Sequence, residues 1–148
     1  MWFQVDRDHP AGRALADRHY SRQTPGAKDF LPPGRTLVLM TPIGDAVWGV
    51  VENLDPAGAL RWRCTIFRNE SSLLSSDMVR AATARTYRYW RHHYGALPDA
   101  PLTTEVDPAR VRHKRDPGRC FLRAGWRVVA TLASGLVRFE APPEELPS

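Results

Sequence analysis

Residues 61–90 constrain this chain more than any other stretch. Residues 61–67 (Arg-Trp-Arg-Cys-Thr-Ile-Phe) alternate with aromatic and β-branched side chains, which predicts a strand, and the alternation stops at Arg68-Asn69-Glu70. A glycine-free loop with four serines follows, and from about Asp77 to Tyr94 neither Gly nor Pro interrupts a helical pattern that Gly95 can close. The serines and Asp77 are N-cap residue types. A strand that enters a long helix in this way leaves backbone N–H groups and the positive end of the helix dipole facing outward, which suits a phosphate or pyrophosphate. Arg68, Asn69, Ser75 and Ser76 are the residues placed to hold one. A plain, well-capped strand–helix connection would carry the same residues, so this stretch alone leaves both readings open.

The chain has 148 residues, 43% of them apolar, enough for one domain with a substantial core. The expected division is a folded unit over residues 1–140 and a loose tail over residues 141–148, where Pro and Glu dominate and no periodicity is seen. No apolar run is long enough to span a bilayer, and Met1-Trp2-Phe3-Gln4-Val5-Asp6 lacks the layout of a signal peptide, so a cytoplasmic location is expected. The two cysteines, Cys64 and Cys120, have no zinc-type spacing and read as reduced thiols. The net charge of +5 favours a polyanionic partner, and its distribution says more than its size. Arg110, Arg112, Lys114, Arg115, Arg119, Arg123 and Arg127 crowd one stretch that also holds His113, opposed only by Asp116. Such a run can track a phosphate backbone, or can simply be a solvated surface.

Residues 2–5 predict an edge strand. A helix then starts at Asp8 or His9 with Pro10 near its first position, turns Ala11, Ala14 and Leu15 inward, and ends near His19-Tyr20. Residues 21–35, with Pro25-Gly26 and Pro32-Pro33-Gly34, form a long loop carrying Phe30 and Leu31 at an apolar tip. Residues 36–41 and 46–51 are strands about a turn at 42–45; residues 102–106 are another, closed by Asp107-Pro108. Residues 117–124 predict a short helix before Gly125, and 126–130 with 136–139 a terminal hairpin. Tyr87, Trp90 and Tyr94 recur at helical spacing and, like Trp48 and Trp62 on strands, are expected to pack in the core.

The resulting order, β-α-β-β-β-α-β-α-β-β, resembles that of the GNAT acyltransferase fold, an α/β (α+β) single domain with a mixed, mostly antiparallel sheet flanked by helices. In that fold the loop between the central strand and the long helix grips the pyrophosphate of acyl-CoA. The closing segment, residues 116–126, looks like the helix, glycine, aromatic signature that precedes its last hairpin. Four features resemble a narrower group, the Mom-type phage DNA-modification proteins: His19-Tyr20, Phe67-Arg68-Asn69-Glu70-Ser71-Ser72, Val106-Asp107-Pro108 and Asp116-Pro117-Gly118. These are GNAT-like enzymes that convert adenine in DNA to an N6-carbamoylmethyl derivative and so block restriction. The resemblance implies that His19, Tyr20, Arg68 and Asp107 line the active cleft, that acetyl-CoA or a related acyl-CoA is the donor, and that the partner is double-stranded DNA. Two departures stand out. Residues 70–76 contain no glycine where the family loop is glycine-rich, and Phe121 stands near where the family has a tyrosine, which leaves Tyr20 as the candidate acid or base.

Transfer to an exocyclic amine needs an acceptor for its proton and a donor for the leaving thiolate. Glu70, Asp107 and His19 are acceptors by type, and Tyr20 is a donor. Adenine N6 is a weak nucleophile, so positioning and electrostatics carry much of the burden, and a base inside a duplex must be flipped to be reached. Arg110, Arg112, Lys114, Arg115 and Arg119, with the loop 21–35, are the expected DNA contacts. His19 with Asp107, joined by His113 or Glu70, has the ligand types for iron or manganese; a helix-end histidine paired to a carboxylate is the simpler alternative. Two other functions stay open: an N-acetyltransferase of a small-molecule or protein amine, and a non-catalytic nucleic-acid-binding protein on the same scaffold. The sequence leaves monomer and homodimer equally open.

Overall fold

Runs rich in β-branched and aromatic residues give seven strands, β1 (Phe3–Val5), β2 (Arg35–Met40), β3 (Ala46–Leu54), β4 (Leu60–Asn69), β5 (Leu102–Val106), β6 (Arg127–Thr131) and β7 (Val137–Glu140). Three helices, α1 (Pro10–Asp17), α2 (Ser75–His93) and α3 (Arg119–Arg123), complete the elements among the described residues. This computed structural model describes residues 1–17, 31–109 and 118–145. The protein is α+β, with one open sheet in the order β1-β2-β3-β4-β5-β7-β6. Every pairing is antiparallel except β4 with β5.

Strand alternation divides the core between the two sheet faces. Leu37, Leu39, Trp48, Val50, Trp62 and Cys64 share one cluster with Met78, Val79, Ala82 and Trp90 of α2 and Phe121 of α3. Val38, Met40, Val47 and Ile66 form a second with Leu15 and Ala16 of α1. Strand β4 changes the phase of its alternation partway, because it carries a bulge: Gly49 pairs with Ile66 while Val50 pairs with Cys64, so Thr65 is the extra residue. The bulge reverses the alternation. Trp62 and Cys64 pack toward α2, Ile66 packs toward α1, and Phe67 returns to the α2 cluster.

Buried indole N–H groups fix α2 on the sheet. Thr86 Oγ1 donates to Ala82 O at 2.7 Å and accepts from Trp48 Nε1 at 3.0 Å. Thr83 Oγ1 donates to Val79 O at 2.7 Å and accepts from Trp126 Nε1 at 3.1 Å. Trp90 Nε1 donates to Glu52 Oε1 at 2.8 Å, and Trp2 Nε1 to Met78 O at 3.0 Å. The tryptophans expected in the core are therefore there, and four of the five have a hydrogen-bond acceptor.

Several local expectations are corrected. Helix α2 begins at Ser75, not Asp77, and its N-cap is Leu74, with no side-chain cap bond. On α1, His9 Nδ1 accepts from Ala11 N, and Gly12, Leu15 and Ala16 face inward while Ala14 is exposed. Leu31 is 4% exposed and sits against Gly49 and Ile66, so it belongs to the core rather than to an exposed tip; Phe30 lies outside the described residues. The start of the tail is docked, not loose: Ala141 is buried, Ala141 N donates to Leu102 O, Tyr87 Oη donates to Pro142 O, and Glu144 pairs with Arg91 at 2.6 Å. No described helix is long and apolar enough to cross a membrane.

Candidate functional site

Parallel strands β4 and β5 end side by side on one edge of the sheet. Their pairing runs only from Trp62↔Leu102 to Cys64↔Thr104, while β4 continues to Asn69 and β5 to Val106. Beyond Cys64 the two strands are therefore unpaired with each other, and the opening lies beside the start of α2. Edges of this kind, where parallel strands end, are where open sheets bind ligands.

Asn69 shapes the connection from β4 to α2. Its Nδ2 donates to Leu73 O and to Ser75 Oγ, each at 2.9 Å, and its Oδ1 accepts from Ser71 N at 2.9 Å and Ser71 Oγ at 2.5 Å. Ser71 Oγ also accepts from Leu73 N at 3.2 Å. This network orders the loop but accepts from no backbone N–H of the first turn of α2, so the side-chain cap expected from the serines and Asp77 is not made. It also explains why the loop does without glycine: no described residue other than glycine has a positive φ, so the chain turns here within ordinary backbone conformations. Glu70 N donates to Asp45 O at 2.7 Å, tying the loop to the β2–β3 turn, where Thr41 Oγ1 donates to Asp45 Oδ1 at 2.6 Å.

Arg68 Nε lies 3.1 Å from Glu70 Oε2, so the cation and the carboxylate stand together, partly exposed, at the end of β4. Asn69 spends both ends of its amide inside the loop, which makes it a positioning residue. Ser75 is half-buried, while Ser76 is 5% exposed. Among the described residues nothing accepts from the N–H groups of Ser75 and Ser76 in the first turn of α2. Asp107 follows β5 and holds Ala109 N through Oδ1 at 3.0 Å. Arg119 begins α3 and is exposed. His19, Tyr20, Arg110, Arg112, Lys114 and Arg115 lie outside the described residues, as does His113. No group of three or more His, Cys, Asp and Glu side chains suited to a metal occurs among the described residues.

Beneath the site, the aromatic rings of Trp48, Phe67, Phe121 and Trp126 form a continuous cluster with centroid separations of 5.0–6.3 Å. Cys64, at the point where β4 and β5 part, is fully enclosed; burial pushes its thiol far up, so it is no nucleophile. Gly118, the described member of Asp116-Pro117-Gly118, has φ +82° and packs against the Phe139 ring, which gives that glycine a structural reason.

No family model matches the sequence, and no curated protein matches it. The site's chemistry therefore rests on its own residues. The residue that sequence reasoning passed over is Ser71: its hydroxyl and N–H both close on Asn69, and the Asn-x-Ser spacing that permits such a turn was the available signal. A groove of about 730 Å³ lies elsewhere, along α2 toward its C-terminus and the docked start of the tail.

Proposed function

We propose that the protein is a GNAT-like transferase of the Mom type, which modifies adenine N6 in DNA with a small acyl-derived group drawn from an acyl-CoA-like donor. The observation that carries this reading is the parting of β4 and β5 at the N-terminus of α2, with Arg68 and Glu70 on one strand end and Asp107 beside the other. The donor set fits a phosphorylated donor: the N–H groups of Ser75 and Ser76, which have no acceptor among the described residues, with the Ser75 hydroxyl, whose oxygen accepts from Asn69. When bound, an acyl-CoA would supply an activated acyl carbon and a thiolate leaving group.

The remaining work falls to this chain's side chains. Asp107 Oδ1 is engaged by Ala109 N, which orients the carboxylate and leaves Oδ2 to accept a proton from the attacking amine. The Arg68–Glu70 pair sets a fixed dipole at the mouth of the opening. Tyr20 is the proposed donor to the leaving group and His19 a second proton carrier. The target base has to be flipped from the duplex, and the basic residues 110–119 are the proposed contacts for the flanking phosphates.

Mass spectrometry of nucleosides digested from the DNA of cells expressing the wild type, Asp107→Ala and Tyr20→Phe tests this directly. The expected result is a new adenosine adduct in the wild type that falls at least about a hundredfold in the Asp107 variant, in line with loss of a general base. Unmodified nucleosides under strong expression, with acetylation of a small amine or protein instead, would replace this reading with an N-acetyltransferase.

A further inference from the structure

Helix α2 carries four arginines and a single acidic residue, Asp77, over 19 residues. Arg80, Ala84, Arg88 and Arg91 recur at spacings of four, four and three, so they share one face, and that face lines the 730 Å³ groove together with Arg123 of α3 and residues 142–145. Thr83, Tyr87 and Gly125 also line it. Arg80 is committed to its surroundings, pairing with Asp77 at 3.1 Å and donating to Arg123 O at 2.8 Å. Arg88 and Arg123 have no carboxylate partner among the described residues, and both are exposed. Arg91 has one, Glu144, supplied by the chain's own tail.

We infer that this groove is a docking track for the phosphate backbone of duplex DNA, with the acidic end of the tail as its internal competitor. The inference rests on the reading that DNA is the macromolecule acted on. It assigns the binding to a surface separate from the catalytic opening. Three observations select a polyanionic backbone. From Arg80 to Arg91 is eleven residues, about 17 Å along the helix, which matches the rise of about five phosphates on one strand and exceeds any single small anion. Arginine, the cation used throughout, forms planar two-point contacts with phosphate. The groove is already held by an anion, because Glu144 Oε2 receives both Nε and an Nη of Arg91 at 2.6 Å, as a phosphate oxygen would. Tyr87 Oη and the Leu102 carbonyl anchor the chain just before it, so Glu144 and Glu145 are delivered to the arginines from a fixed point.

The test is fluorescence anisotropy of a short labelled duplex across a salt series with three full-length proteins: wild type, Arg88→Ala/Arg123→Ala, and Glu144→Gln/Glu145→Gln. Thermal melting confirms that each is folded. Removing two arginines is expected to lower the slope of log affinity against log salt by about 2 and to weaken binding at least about tenfold, while the glutamine variant binds several-fold more tightly. An unchanged slope and affinity in the arginine variant overturns the groove, as does duplex binding that the glutamine variant leaves unchanged or weakens. Absence of duplex binding by the wild type, with arginine-dependent capture of an acidic peptide or anionic vesicles in its place, overturns it too. The adduct assay is read separately. An adduct formed by a protein whose arginine variant binds normally sinks the groove alone; groove-dependent binding without any adduct sinks the chemistry alone.

Discussion

Thr86 shows how much of this fold depends on single hydroxyl groups. A threonine in mid-helix ordinarily weakens a helix slightly, because its hydroxyl competes for the backbone and its branched Cβ restricts χ1. Here the hydroxyl spends its proton on Ala82 O and offers its lone pair to Trp48 Nε1, an indole with no exposed surface. Thr86→Val keeps the shape and removes the acceptor, so the variant is expected to lose about 1–3 kcal/mol, the penalty for a buried donor left without a partner. Thr86→Ser should stay within about 1 kcal/mol of wild type, and urea denaturation of both decides the point. Cys64 gives a second residue-scale expectation. Its thiol is raised by burial foremost, so a thiol reagent at neutral pH should leave it untouched in the folded protein and reach it only on unfolding, as mass mapping would report. The core roles of Trp48 and Trp62 were legible from their placement in apolar strands. The acceptors for the indoles were not, since Thr83 and Thr86 lie 35 or more positions away from Trp48 and Trp126 and nothing local joins them.

At the scale of elements, what was legible follows periodicity and what was missed follows contacts between distant segments. Strand β5 fills the segment between Pro101 and Asp107-Pro108, and α2 fills the stretch without Gly or Pro. The bulge at Thr65 was invisible because residues 61–67 alternate acceptably with or without it; only pairing with Gly49 and Val50 shows the extra residue. Its consequence reaches the site, because Phe67 would otherwise leave the α2 cluster and Asn69 would face the wrong side of the sheet. Asn69→Ala tests the loop that depends on this. Losing the four amide hydrogen bonds should loosen residues 70–75, lower adduct yield at least about tenfold under the proposed function, and cost about 1–3 kcal/mol of stability, read by urea denaturation beside the nucleoside assay. Gly118→Ala tests the approach to α3: a Cβ there meets the Phe139 ring at a positive φ, and a loss of about 1–3 kcal/mol is expected.

For the molecule as a whole, residues 141–145 are the stretch that composition misjudged, because prolines and glutamates without periodicity read as disorder unless a basic groove is there to receive them. The docking makes a specific claim about alkaline pH. Burial, then the charges of Glu144 and Glu140, push the Tyr87 hydroxyl up to about 12. In the unfolded chain a tyrosine titrates near 10, so between about pH 10 and about pH 12 the folded protein holds a proton that the unfolded one has released. The Tyr87 contribution is therefore fully present below about pH 10 and is lost as pH rises through the folded value. Ionised Tyr87 can no longer donate to Pro142 O, and its charge opposes Glu144, so the same titration should release the tail from the groove. Urea midpoints from about pH 8 to about pH 11 should fall for the wild type and fall less steeply for Tyr87→Phe, which starts about 1 kcal/mol lower at neutral pH for want of the hydrogen bond. Parallel slopes for the two proteins would mean that Tyr87 is not what couples the tail to the fold, and the tail's hold would then have to come from Arg91 and Glu144 alone.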